Sequence, residues 1–314
     1  MDLLKKNLAL TRYDMPENPM KPEELLAWTN WKDAAFKSID HTEDEYSQGL
    51  VQVQDFEKPL TTPMQQPGCI ILRLRIDKRR IPPTVLKRRQ NQVLEQERKI
   101  LIAQGIRHMP RSRRREIRAQ VRKSLLRQTQ PTPKTVGLIL TQGRLWALTS
   151  MNCELEAVKN MAAGFLRTNL QLHSPLSDTQ PELVTRQFLS LLYSQGRLQN
   201  NKALLWITNT LELQQDKDKT RHTGSNLQTW PEIHLGMNRG KEITQAGLSL
   251  KSNGHKSTFQ LNRDWSMNSF KLQPAYSQNI YKAHLEKLKQ LTTLCQELDN
   301  LCRDILYSQR DQAA

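Results

Sequence analysis

The stretch Cys69-Ile-Ile-Leu-Arg-Leu-Arg-Ile-Asp77, continuing as Lys78-Arg-Arg-Ile-Pro-Pro-Thr-Val-Leu-Lys87, changes its hydrophobic period half-way along, and that change decides the fold class. Over the first part, Leu72, Leu74 and Ile76 alternate with Ile71, Arg73 and Arg75. A period of two sends the two sets to opposite faces, which predicts a half-buried strand with a basic outer face. Pro82-Pro83 then opens a helix, because proline's fixed φ and missing N–H suit the first helical turn. Val85, Leu86, Val93, Leu94, Ile100 and Leu101 recur at helical spacing, and Gly105 is placed to stop them.

A second helix is predicted after Pro110, with Ser112 as a candidate cap and Ile117, Val121 and Leu125 spaced by four. On that helix Arg114, Arg118 and Arg122 form a parallel row, flanked by Arg111, Arg115, Lys123 and Arg127. Lys87, Arg88 and Arg89 stand on the first helix, so the two make a basic helical hairpin closed by Pro131-Thr-Pro133.

Upstream, Leu3 to Tyr13 reads as a strand and Glu23 to Phe36, with Leu25, Leu26, Trp28, Trp31 and Ala35, as a helix. Downstream, Val136–Leu140 and Leu145–Thr149 flank Thr-Gln-Gly-Arg as a β-hairpin, and Asn152 opens a helix. Pro181 to Tyr193 is helical in pattern, Ala203–Thr208 and Leu211–Gln214 form a short strand pair, and the polar segment Gln215 to Thr229 reads as an exposed loop. Thr244–Leu250 and Lys256–Leu261 flank Asn253-Gly254, a turn pair suited to positive φ. Tyr276 to Tyr307 is one long helix whose apolar seam serves either intramolecular packing or a dimer contact. The class is therefore α+β: a mixed α/β body with a projecting basic helical hairpin. The expected parts are 1–80 (α/β part of the body), 81–130 (basic helical tip), 131–175 (hairpin and helix completing the body) and 176–314 (C-terminal α+β region).

The chain has 314 residues with 47 Lys and Arg against 31 Asp and Glu, a net charge of +16, which points to a polyanionic partner. Between Arg73 and Arg127 there are 19 basic residues against Asp77, Glu95, Glu97 and Glu116, whereas the rest of the chain holds 28 against 27. Nearly all the excess charge thus sits in one stretch, where a merely solubilising surface would spread both signs. Long cations in a row suit a phosphate backbone, and arginine adds a planar fork that binds a phosphate through two hydrogen bonds. No Phe, Tyr or Trp lies between Arg73 and Arg127, which disfavours base stacking on single strands. Candidate DNA-contacting residues are Arg73, Arg75, Lys78, Arg79, Arg80, Lys87, Arg88, Arg89, Arg111, Arg114, Arg115, Arg118, Arg122, Lys123 and Arg127.

Catalytic chemistry has little support. Asp77, beside Lys78 and Arg79, reads as part of a local ion pair. His41 among Asp40, Glu43, Asp44 and Glu45 reads as a solvated acidic loop in preference to an ion site, and no phosphate-binding GxxxxGK[ST] motif occurs. Cys69, Cys153, Cys295 and Cys302 form no CxxC pair, so neither a zinc module nor a disulfide framework is expected. No cofactor or metal is expected. With no apolar run approaching a membrane span, the chain reads as cytosolic.

The run Leu72 to Lys87 resembles the strand-to-helix passage of the bacterial recombination-associated protein RdgC family. Ala35-Phe-Lys-Ser-Ile-Asp40, Gly143-Arg-Leu-Trp-Ala-Leu-Thr149 and Arg239-Gly-Lys-Glu-Ile-Thr-Gln-Ala-Gly-Leu-Ser-Leu250 match in the same order, as do Phe259-Gln-Leu261 and Phe270-Lys-Leu272. The resemblance implies a non-enzymatic protein that binds double-stranded DNA without sequence preference. It also implies a ring-shaped homodimer, association with the nucleoid, and antagonism of RecA-dependent recombination by occupying DNA. The alternative is a metal-dependent exonuclease or another DNA-processing enzyme that uses the basic segment to capture its substrate.

Overall fold

The structure, a computed structural model, describes residues 7–16, 23, 26, 31–106, 108–141, 143–252, 255–271 and 280–313. In chain order its strands and helices are β1 (Asn7–Asp14), β2 (Tyr46–Val51), β3 (Met64–Gln66), β4 (Cys69–Lys78), α1 (Pro83–Ala103), α2 (Arg111–Gln128), β5 (Thr132–Thr141) and β6 (Arg144–Ala147). There follow α3 (Asn152–Met161), β7 (Gln171–Leu172), α4 (Pro181–Gln195), β8 (Arg197–Gln199), β9 (Ala203–Gln215) and β10 (Asp218–Thr223). The chain ends with α5 (Pro231–Asn238), β11 (Glu242–Ser252), β12 (His255–Asn262), β13 (Met267–Lys271) and α6 (Ile280–Ala313). The fold is α+β, with antiparallel pairing between its strands.

The chain forms two compact units, one of residues 1–29, 64–72 and 137–314, the other of 30–63 and 73–136. In the first, neighbouring strands run β10-β9-β11-β12-β13-β1-β6-β5. β1 divides its partners: Asn7, Leu8 and Leu10 pair with β13, and Thr11 to Asp14 with β6. α4 packs on β9 and β11, burying Val184, Phe188, Leu189 and Leu192. On α6, Leu291, Leu294, Cys295, Leu298, Leu301 and Cys302 are buried, a spacing of three and four that puts them on one face. That seam is covered within a single copy of the chain, so at these positions it serves intramolecular packing.

In the second unit, β2 runs antiparallel to the end of β4, Val51 opposite Arg73 and Tyr46 opposite Lys78. Residues 31–34 form a turn, and Ala35 makes a parallel bridge to Leu50. Gly49 permits this approach, because a Cβ there would overlap the backbone of Phe36. α1 and α2 pack against each other as the predicted hairpin. Pro83 stands in the first turn of α1 and Gly105 follows its end at φ 81°, a left-handed value that glycine adopts without steric penalty. α2 buries Ile117, Val121 and Leu126.

Several expectations are corrected. β4 has no basic outer face. Arg73 and Asp77 are buried and Arg75 is half-buried, its guanidinium set over the rings of Phe36 and Phe56. On α1, Val85 and Ile100 are exposed, and the face turned inward is instead Leu86, Gln90, Val93, Leu94, Glu97 and Leu101. Ser112 lies inside α2 and makes no cap; the helix begins after Pro110 without a side-chain cap. Ala203 to Gln215 is one continuous strand, and Asp218 to Thr223, expected as loop, pairs with it as an edge strand. Edge strands carry charges that deter pairing with other chains, so such a segment has little hydrophobic alternation to read. The helix expected over 23–36 does not extend to Phe36, and Leu25 and Trp28 lie outside the described residues, as do Arg107, Asn253-Gly254, Leu272 and the 276–279 start of the last helix.

Candidate nucleic-acid interface

The candidate residues separate into three groups by what their charged ends touch. The first group is internal. Arg73 is 2 % exposed, and its Nε and Nη1 find no hydrogen-bond partner among the described residues. Burial without a counter-charge pushes this guanidinium's pKa down. Arg75 donates from Nε and Nη2 to the two oxygens of Asp77, at 2.7 and 2.8 Å, while its Cζ lies 4.5 Å from the Phe36 ring centre. Asp77 therefore pairs with Arg75, two residues away on the same strand face, and not with its sequence neighbours. Arg79 is buried and donates to the backbone carbonyls of Thr42, Asp44 and Ile39, at 2.7, 3.2 and 2.6 Å. These three arginines build the unit and are not placed for an external partner.

The second group is neutralised at the surface. Arg122 pairs with Glu45, while Lys123 and Arg127 pair with Glu43 at 2.8 and 2.6 Å. Hydrogen bonding from Lys123, with the charges of Lys123 and Arg127, outweighs desolvation and holds the Glu43 carboxyl below its ordinary range. The acids belong to the loop that Arg79 clasps through its carbonyls, so the buried arginine positions the partners of the exposed cations. The segment read from sequence as a solvated acidic loop is thus the counter-charge of the second half of α2.

The third group is unclaimed. Lys78, Arg80, Lys87, Arg88, Arg89, Arg111, Arg114, Arg115 and Arg118 are exposed, and among the described residues none has a carboxylate within 4 Å. Arg89 makes only a long bond to Gln92, at 3.4 Å. The row of three arginines on α2 is accordingly uneven: Arg114 and Arg118 are free and Arg122 is engaged. Two further cations of α1, Arg98 and Lys99, are exposed and equally free of acids among the described residues. In sequence they are one adjacent pair beside Glu97, with no row or run of charges to mark them. Arg113, by contrast, bridges the helices, with Nε 2.8 Å from Glu97 and Nη1 3.2 Å from Glu116.

A second charged cluster lies in the other unit and has a structural character. Arg12 on β1 donates from Nη1 and Nη2 to the two oxygens of Asp299 on α6, at 2.8 and 2.9 Å, both residues being buried. Trp265 Nε1 donates to Asp299 Oδ1 at 3.0 Å. His173 sits between carboxylates, Nδ1 2.9 Å from Asp14 and Nε2 3.0 Å from Asp299. A ring that donates from both nitrogens is an imidazolium. Burial lowers the His173 pKa, but the bonds to Asp14 and Asp299 outweigh it and the net direction is upward. Asp299 is likewise pushed up by burial and then held far below the carboxylate range by Arg12 and His173. No group of three or more His, Cys, Asp or Glu side chains arranged to hold a metal occurs among the described residues.

No protein-family model matches the chain, and no curated protein sequence matches it. Among the described residues no helix is long and apolar enough to cross a membrane.

Proposed function

We propose that the protein binds double-stranded DNA without sequence preference, through phosphate contacts made by the α1–α2 hairpin. One observation carries this reading: exposed cations from both helices, Lys87 and Arg88 on α1 and Arg111, Arg114, Arg115 and Arg118 on α2, have no acidic partner among the described residues. A solvated helix face normally alternates acids with bases, and α2 has Glu116 alone, already engaged by Arg113. Guanidinium groups without counter-charges hold loosely bound anions, which a polyanion displaces with a gain in entropy. The absence of aromatics from Arg73 to Arg127 favours backbone contact over stacking with bases. The sequence resemblance to the RdgC family extends the reading to a homodimer associated with the nucleoid that antagonises RecA by occupying DNA, without catalysis of its own.

The decisive experiment is duplex binding by the full chain against salt concentration, with single strands and structured RNA as competitors. Each phosphate neutralised contributes about −0.9 to the slope of log K against log salt. A slope near zero, or a preference for RNA, would sink the reading. Labelled duplex incubated with magnesium or manganese tests the nuclease alternative, and cleavage lost on replacing a single carboxylate would establish it.

A further inference from the structure

Where α1 and α2 face each other near the tip of the hairpin, they leave an open cleft of about 360 Å³. Among the described residues, Arg98 from α1 and Arg114 and Arg118 from α2 line it, together with Asn91, His108 and one acid, Glu95. We propose that this cleft is a phosphoryl-binding site, seating one phosphate of a nucleic acid, either a backbone phosphodiester or a terminal monoester.

Several features point to an oxyanion. None of the three guanidiniums has a carboxylate within 4 Å among the described residues, Glu95 included, although the same helices pair Arg113 with Glu97 and Glu116. The arginines come from two helices, so they line the cleft from both sides, as suits a tetrahedral group with several acceptor oxygens. Arg114 and Arg118 are four apart on one helix, where like charges repel, and an anion between them and Arg98 removes that repulsion. Among the described residues the arginines and Glu95 of the lining carry three positive charges and one negative, an excess of two. That excess equals the charge of a phosphate monoester above its second pKa near 6 and exceeds that of a diester. Leu94 and Met109 complete the wall, and their apolar surface strengthens charge pairing by lowering the local polarity. Asn91 adds a neutral amide able to donate to a phosphate or sugar oxygen.

The inference rests on the duplex-binding reading, but a separate measurement tests it. Fluorescence anisotropy of the full chain would compare labelled duplexes ending in 5′-phosphate and 5′-hydroxyl, and calorimetry would follow inorganic phosphate as a second probe. Arg98→Gln, Arg114→Gln and Arg118→Gln should each weaken duplex and phosphate binding about tenfold or more, the scale of a lost charged hydrogen bond. Arg88→Gln and Arg115→Gln, which remove the same charge outside the cleft, should weaken duplex binding about two- to threefold through general electrostatics alone. Circular dichroism should be unchanged in all five, since every site is exposed. A preference for the 5′-phosphate end would identify the monoester as the ligand; equal affinity for the two ends would identify the diester. Equal losses from cleft and control variants, with phosphate unbound, would overturn the site while leaving duplex binding intact. Wild-type protein that ignores duplex but binds phosphate through these three arginines would overturn the duplex reading and keep the site.

Discussion

Arg122 Nε and Nη2 both reach one carboxylate oxygen of Glu45, at 2.7 and 2.6 Å, across 77 residues of sequence. One turn earlier on the same helix face, Arg118 meets no acid among the described residues. A partner phosphate competes with Glu45 for Arg122 and with solvent alone for Arg118. Arg118→Gln should therefore weaken duplex binding by about tenfold, and Arg122→Gln by no more than about threefold, in the same anisotropy titration. Equal losses would mean that the ion pair does not occupy Arg122 in solution.

Removing the acids should have the opposite sign. Glu43→Gln with Glu45→Gln frees Arg122, Lys123 and Arg127 together. Duplex affinity should rise, and the salt slope should steepen by about 2 to 3, close to one increment per cation released. An unchanged slope would show that these three cations lie away from the bound duplex.

The internal arginines should behave differently from one another. Arg73→Met replaces a buried guanidinium, with two nitrogens unpartnered, by an apolar chain of similar length. Chemical denaturation should show it neutral or up to about 1 kcal/mol more stable, with duplex affinity unchanged. Arg79→Met strips the carbonyls of Ile39, Thr42 and Asp44 of their donor and should cost roughly 2 to 3 kcal/mol. Because that clasp positions Glu43 and Glu45, Arg79→Met should also raise duplex affinity in the fraction that remains folded.

The cluster around Asp299 predicts a pH dependence of stability. The His173 pKa is raised in the folded state, so its contribution is complete below the ordinary imidazole value of about 6.5 and is lost as pH rises through the raised value. Asp299 is held low, so its contribution is complete above about 3.9 and is lost as pH falls through the lowered value. Together they are most stabilising between about pH 4 and 6.5. His173→Gln should flatten the decline in Tm on the alkaline side, and a parallel decline in wild type and variant would remove His173 from this role. Asp299→Asn leaves the buried Arg12 without its counter-charge and should cost about 3 to 5 kcal/mol.

The hairpin was legible in the sequence because its evidence is local: prolines at both helix starts, Gly105 between them, and charges repeating every four residues on α2. The β11–β12 pairing and the helix from Pro181 were legible for the same reason. What sequence spacing missed depends on partners distant in the chain. Arg75 looks like part of an outward face until Phe36 and Phe56 are brought against its guanidinium. The arginine row looks uniform until Glu45 arrives at one end. His173 carries no local signal at all, since its two carboxylates come from Asp14 and from Asp299, 126 residues later.

α1 contains 21 residues and buries none of them. A helix held by one half-covered face and by Arg113 across to Glu97 can open locally. Its amide protons should consequently exchange with deuterium through opening of the hairpin alone, long before those of β11, which is hydrogen-bonded on both sides by β9 and β12. Bound duplex would slow that exchange in α1 first, turning the least protected helix of the unit into the one that reports occupancy.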